Sequence, residues 1–127
     1  MINAGTNEFN ENLFDGLHLP FSEAKNFSRR PVKKGCLLSI SCHNREEIQH
    51  ANNLEADFIY LSPIRNSSSH PDNNPMGWTE GKKLLSLSRQ PVYALGGLSI
   101  IDLPEAINRG FQGIAGIGTF WNGRYNE

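Results

Sequence analysis

The residues of this chain that can do chemistry near neutral pH are gathered in short polar segments. One is Ser41-Cys42-His43-Asn44, and a second runs from Ser62 through Arg65, Ser67, Ser68 and Ser69 to His70. Two more are glycine-rich, Gly96-Gly97 and Gly116-Ile117-Gly118. Without a Cβ the backbone approaches a ligand closely, and adjacent N–H groups can point at phosphate oxygens. Gly96, Gly97, Ile117 and Gly118 are therefore candidates for a phosphate cradle, with Ser41, Ser67, Ser68 and Ser69 as side-chain donors. The alternative is that the glycines make tight strand-to-helix turns and the serines a flexible linker. Histidine titrates near neutrality and moves protons, which makes His43 the candidate catalytic group. Its alternative role is that of a satisfied polar group at a strand end, with Ser41 capping the next helix. His18 reads as a structural residue pointing inward, and His50 as solvated on a helix face. No zinc-type spacing, GxGxxG, Walker loop or Ser-His-Asp motif occurs.

Five apolar runs must position these segments. They start at residues 16, 37, 58, 92 and 113, at intervals of 21, 21, 34 and 21. Nearly continuous apolar residues predict strands buried on both faces. Helical patterns fill the gaps. Asn44 with Glu47 forms a capping-box-like start, Thr79 precedes a second helix, and Ile101 to Pro104 opens a third that Gly110 closes. Weaker helices are expected over 7–15 and 22–29. A strand and a helix repeated every 21 residues predict an α/β fold with a parallel sheet. The 34-residue interval holds a long Ser-, Pro- and Asn-rich loop over 62–78. The polar segments all follow strands, so they converge at the carboxyl ends, where parallel α/β folds place their sites. Period two along the second strand puts Ser39, Ser41 and His43 on one face. Leu17 and Ile59 are expected on the inward face of the sheet.

The 127 residues fit a single domain, 1–127. A net charge of −1 lacks the basic excess of a nucleic-acid binder. With 38% hydrophobic and 20% charged residues the composition is that of a folded globular chain. No apolar run approaches a membrane span, and the polar residues 1–12 do not read as a signal peptide. Cys36 and Cys42 share one predicted strand, roughly 20 Å apart, too far for a disulfide. Two thiols suggest a reducing, cytoplasmic setting.

At GLHL (16–19), SISCHN (39–44), ADFIYLSPI (56–64), SSSHP (67–71), MGW (76–78), PVYALGGL (91–98) and GFQGIAGIGTFW (110–121) the chain resembles the thiamine phosphate synthase superfamily. That superfamily includes the TenI-type thiazole tautomerases. The wording is most similar to the synthase-like domain that follows a Nudix domain. The resemblance implies a TIM (β/α)8-like barrel, of which this chain matches the C-terminal five to six units. It implies a synthase-like transferase or a tautomerase of thiamine biosynthesis, with thiazole phosphate as small-molecule ligand. Ser67, Ser69, Gly96, Gly97, Ile117 and Gly118 match the thiazole phosphate site. Ser41 matches a diphosphate-binding Ser, and His43 matches the tautomerase's acid–base His. His70 stands where the synthase has a Lys that pairs with diphosphate, so the resemblance implies a phosphate-binding position there. Ala4 and Glu23 stand at two magnesium-binding Asp positions, which weakens a Mg2+ site and leaves Glu23 as its one candidate ligand. An incomplete barrel implies a homo-oligomer. The alternative function is a non-catalytic phosphate-binding or regulatory module, or the remnant of a Nudix-linked synthase-like protein.

Overall fold

A computed structural model of the chain describes residues 2–3, 15–65 and 74–115. Six strands lie side by side in chain order: β1 (Ile2–Asn3), β2 (Gly16–Leu19), β3 (Leu37–Cys42), β4 (Phe58–Leu61), β5 (Val92–Leu95) and β6 (Gly113–Ala115). Every neighbouring pair is parallel. The connections carry α1 (Phe21–Ala24), α2 (Arg45–Asn53), α3 (Gly77–Leu85) and α4 (Leu103–Arg109), the last entered through a 3-10 turn at Ile100–Asp102. This is the expected parallel βα repeat, in the order that builds a TIM-like barrel. No described helix is long and apolar enough to cross a membrane.

The local signals act as their chemistry dictates. Asn44 Oδ1 accepts from Glu47 N at 2.9 Å and starts α2. Gly110, at φ 103°, ends α4. Two boundaries differ from expectation. The helix expected over 22–29 is the single turn α1, Phe21–Ala24, and the chain leaves helix at Lys25. Helix α3 begins at Gly77, ahead of Thr79. Of the helix expected over 7–15, residues 7–14 lie outside the described residues.

The two faces of the sheet differ in chemistry. Cys42 Sγ donates to Glu47 O of α2, so Cys42 and its period-two mates Ile40 and Leu38 face the helices. Register adds Leu17, Leu19, Ile59, Leu61, Val92 and Ala94 to the same rows. All are buried, and the helices supply Ala24, Ile48, Ala51, Leu84 and Ala106 to the same core. Each large side chain there contributes about 1.5–3 kcal/mol. Leu17 and Ile59 therefore do not face inward as expected. They are fully buried beneath the helices, and the opposite face carries His18, Ser39, Ser41, Phe58, Tyr60 and Tyr93. Both cysteines are buried and unbridged.

The amino ends of β3 and β4 are tied by one arginine. Arg30 donates to the carbonyls of Val32, Cys36 and Glu55 and pairs with Asp57 at 3.1 Å. The other task of Asp57 Oδ2 is to accept from Leu38 N at 2.7 Å. With that end fixed, the carboxyl ends are left to carry the polar segments.

Candidate functional site

Backbone bonds bring three of the four polar segments together at the carboxyl edge of the sheet. Ser62 N donates to Cys42 O at 3.2 Å, joining the segments after β3 and β4. Ile64 N donates to Leu95 O and Arg65 N to Gly96 O, both at 3.0 Å, joining those after β4 and β5. The long loop after β4 closes at its base, where Met76 N and Gly77 N donate to Pro63 O and Ile64 O at 2.9 Å. Gly96 and Gly97 both have positive φ, 104° and 65°. A Cβ on Gly96 would stand 2.8 Å from Pro63 Cα, so only glycine lets these two segments approach. Ser67, Ser69, His70, Ile117, Gly118 and Ala4 lie outside the described residues.

His43 follows β3, and its ring turns to α2. Its Nδ1 lies 2.8 Å from Glu47 Oε1, and the same oxygen accepts from His43 N at 2.7 Å. A carboxylate only accepts, so Nδ1 carries the hydrogen and Nε2 is the ring's other functional atom. The ring is half-exposed at the mouth. Glu47 was expected as a helix cap alone, yet it also orients this imidazole.

Beneath the mouth lies a polar and aromatic floor. His18 Nδ1 lies 2.7 Å from Ser39 Oγ, and Nε2 lies 3.0 Å from Ser41 Oγ. Ser39 is fully buried and Ser41 half-buried. His18 thus joins the site instead of merely filling space. Its ring meets Tyr60 edge-on at 5.3 Å, and Tyr60 in turn packs with Phe58 and Tyr93. Burial lowers the His18 pKa and favours the neutral ring. Burial, with Tyr93 beside it, raises the Tyr60 phenol above its ordinary value.

Arg65, an arginine in a polar loop with no local signal of a role, is a charged group of the site. Its guanidinium pairs with Asp102 Oδ1 at 2.7 Å while its amide holds Gly96 O. Asp102 Oδ2 accepts from Ser99 N at 2.9 Å, fixing the turn after Gly96-Gly97. A cation is thereby placed beside the glycine segment. His50 is not solvated as expected: its Nε2 lies 3.0 Å from Ala24 O and its ring packs on Phe21. Glu23 is exposed on α1, and the described residues bring together no group of three His, Cys, Asp or Glu that could hold a metal ion. These residues do not fit a magnesium site.

Residues 2–120 match the sequence profile of the family described as thiamine monophosphate synthase. Over 106 residues, 84% of this chain and 57% of the relative, the chain is 37% identical to a provisionally named thiamine-phosphate synthase 2 of Aquifex aeolicus. It is 32% identical to a thiamine-phosphate synthase of Methanocella arvoryzae, covering 80% of this chain and 49% of that one. The fold is similar to that of a thiamine phosphate pyrophosphorylase from Pyrococcus furiosus, with TM-score 0.61, 20% identity, and coverage of 81% and 49% of the two chains. The chain thus spans about half the length of these relatives. It belongs to the thiamine monophosphate synthase family.

Proposed function

We propose that this chain binds a thiazole phosphate in thiamine metabolism, and that His43 is its proton-transfer group. The observation that carries the reading is the convergence of Ser41, His43, Arg65, Gly96 and Gly97 on one sheet edge through the bonds Ser62–Cys42, Ile64–Leu95 and Arg65–Gly96. The positive-φ glycines leave backbone open to a phosphate, and the resemblance adds Ser67, Ser69, Ile117 and Gly118 to that cradle. His70, in place of the synthase's Lys, is a weaker diphosphate partner. With its Nδ1 hydrogen held by Glu47, His43 presents Nε2 as a base, which takes a proton from the anchored ring and returns it at another atom. Isomerisation of a thiazole carboxylate phosphate needs only this cradle and this shuttle.

His43→Asn tests the reading, with a thiazole carboxylate phosphate as substrate. Retained phosphate binding and melting temperature, with turnover reduced roughly 10²-fold or more, are expected. Equal turnover per folded molecule removes His43 from catalysis. Wild type that binds phosphate without turnover leaves a non-catalytic phosphate-binding module. The exposure of Glu23 leaves the magnesium-dependent synthase step, as distinct from isomerisation, unsupported by the described residues.

Association with a second copy is part of the proposal. Among the described residues β1 and β6 each have one strand neighbour, and unpaired strand edges are templates for pairing. Sedimentation as a compact monomer at micromolar concentration would count against it.

A further inference from the structure

The bridge from Ser39 through His18 to Ser41 has a direction. A neutral imidazole carries one N–H, and each serine carries one O–H. In one arrangement Ser39 donates to Nδ1 and Nε2–H donates to Ser41 Oγ, so the Ser41 proton is directed elsewhere. In the other, Ser41 donates to Nε2 and Nδ1–H donates to Ser39 Oγ. Ser41 then offers only lone pairs. The distances, 2.7 and 3.0 Å, suit both directions. Ser41 stands next to last on β3, at the edge where the polar segments converge. Ser39 and Ser41 are held by β3, and His18 by β2 and the edge of Tyr60, so no group need move to exchange the two states.

We infer that His18 is a positioning residue whose tautomer sets whether Ser41 donates or accepts at the mouth, and that an anion bound at Ser41 selects the Nε2–H form. The inference rests on the anion-binding reading above. An anion accepts hydrogen bonds and gives none, so it binds more tightly to the state in which Ser41 has a proton to donate. A ligand binding one of two states shifts their ratio by its differential affinity. One ordinary hydrogen bond is worth about a two- to tenfold shift. Burial favours the neutral ring, which keeps two tautomers in play where a cation would have none.

The experiment is a titration of the full chain, 15N-labelled at histidine, with inorganic pyrophosphate. The ring nitrogens are observed by long-range proton–nitrogen NMR, and binding is followed by calorimetry. Saturation should move His18 Nε2 toward the protonated and Nδ1 toward the unprotonated shift. Ser41→Ala, which keeps the His18–Ser39 bond, should abolish that response. Saturated wild type with unmoved His18 nitrogens overturns the inference and leaves the anion site standing. An equal response in Ser41→Ala also overturns it, since the coupling would not run through Ser41. If calorimetry finds no pyrophosphate binding, the anion site and the inference fall together.

Discussion

Three glycines of this chain share nearly the same positive φ and differ in what surrounds them, which isolates the contact that shapes the site. Gly35, Gly96 and Gly110 have φ of 103°, 104° and 103°. Alanine at such a φ costs roughly 1–2 kcal/mol, and the loss of unfolded-state freedom returns about 0.4–1 kcal/mol. Both contributions are common to all three. At Gly35 a Cβ would meet nothing within 4 Å, so Gly35→Ala should cost only the difference of these two contributions, about 0–1.6 kcal/mol. At Gly110 it would meet Leu85 Cδ2 at 2.9 Å, the end of a side chain that can rotate away. At Gly96 it would meet Pro63 Cα at 2.8 Å and Ile64 N at 3.2 Å, which are backbone atoms. Relief there means separating the β4 and β5 segments and straining Ile64–Leu95 and Arg65–Gly96, for an overpacking cost of about 1–3 kcal/mol more. Urea unfolding at a common m value should rank Gly35→Ala below Gly110→Ala below Gly96→Ala. Gly96→Ala should also weaken inorganic phosphate binding, while Gly35→Ala should not. A Gly96→Ala variant no less stable than Gly35→Ala would refute the argument that the close approach to Pro63 requires glycine.

The electrostatics and burial give three further expectations. Arg65→Met leaves the nearly buried Asp102 carboxylate without its cation and should cost about 1–2 kcal/mol, part of which Asp102→Asn should recover in the double variant; additive losses would deny the coupling. Burial, with Glu47 nearby, pushes the Cys42 thiol up to about 12, so in Cys36→Ser the remaining thiol should react with a disulfide reagent at pH 8 only as fast as the chain opens; rapid labelling of the native protein would contradict this. Because burial lowers the His18 pKa, the unfolded chain, with the ordinary value of 6.5, takes up the proton first as pH falls. His18 therefore adds stability above that pH that is lost as the pH falls through 6.5 toward the folded value, and the loss between pH 8 and 5 should be steeper for wild type than for His18→Gln. Parallel curves would speak against it.

What was legible in the sequence, and what was not, follows from the range of the interactions. Strand positions were legible because a parallel strand buried on both faces must be apolar throughout, and Gly16–Leu19, Phe58–Leu61 and Val92–Leu95 coincide with three of the apolar runs. The same near-continuity makes the faces hard to tell apart, because Leu17, Leu19, Ile59 and Leu61 are separated only by His18 and Tyr60, whose rings also suit an interior. Here the polar residues decide, since the row His18, Ser39, Ser41 and Tyr60 defines the other face. The 21-residue spacing did contain one contact, because it sets His18 opposite Ser39. The next pair is slipped, with Ser39 opposite Phe58 and Ser41 opposite Tyr60, and counting from run starts does not show it. Stagger of this kind tilts strands in a barrel, so the floor of the site is set by sheet geometry and not by any local motif. The Asn44–Glu47 signal found the start of α2, but the Glu47 carboxylate went to His43 because the extended Asn44 places the preceding amide within reach. Arg65 lay in a polar loop, where an arginine reads as solvated, and its partner Asp102 is 37 positions away on the next βα unit. The groups that supply chemistry were therefore visible one by one, whereas the partners of His18 and Arg65 depend on register, on slip or on the neighbouring unit, and that of His43 on the local geometry at Asn44. That is why a variant at an orienting residue, such as Glu47→Gln beside His43→Asn, separates geometry from chemistry: the first should misalign the shuttle and the second should remove it.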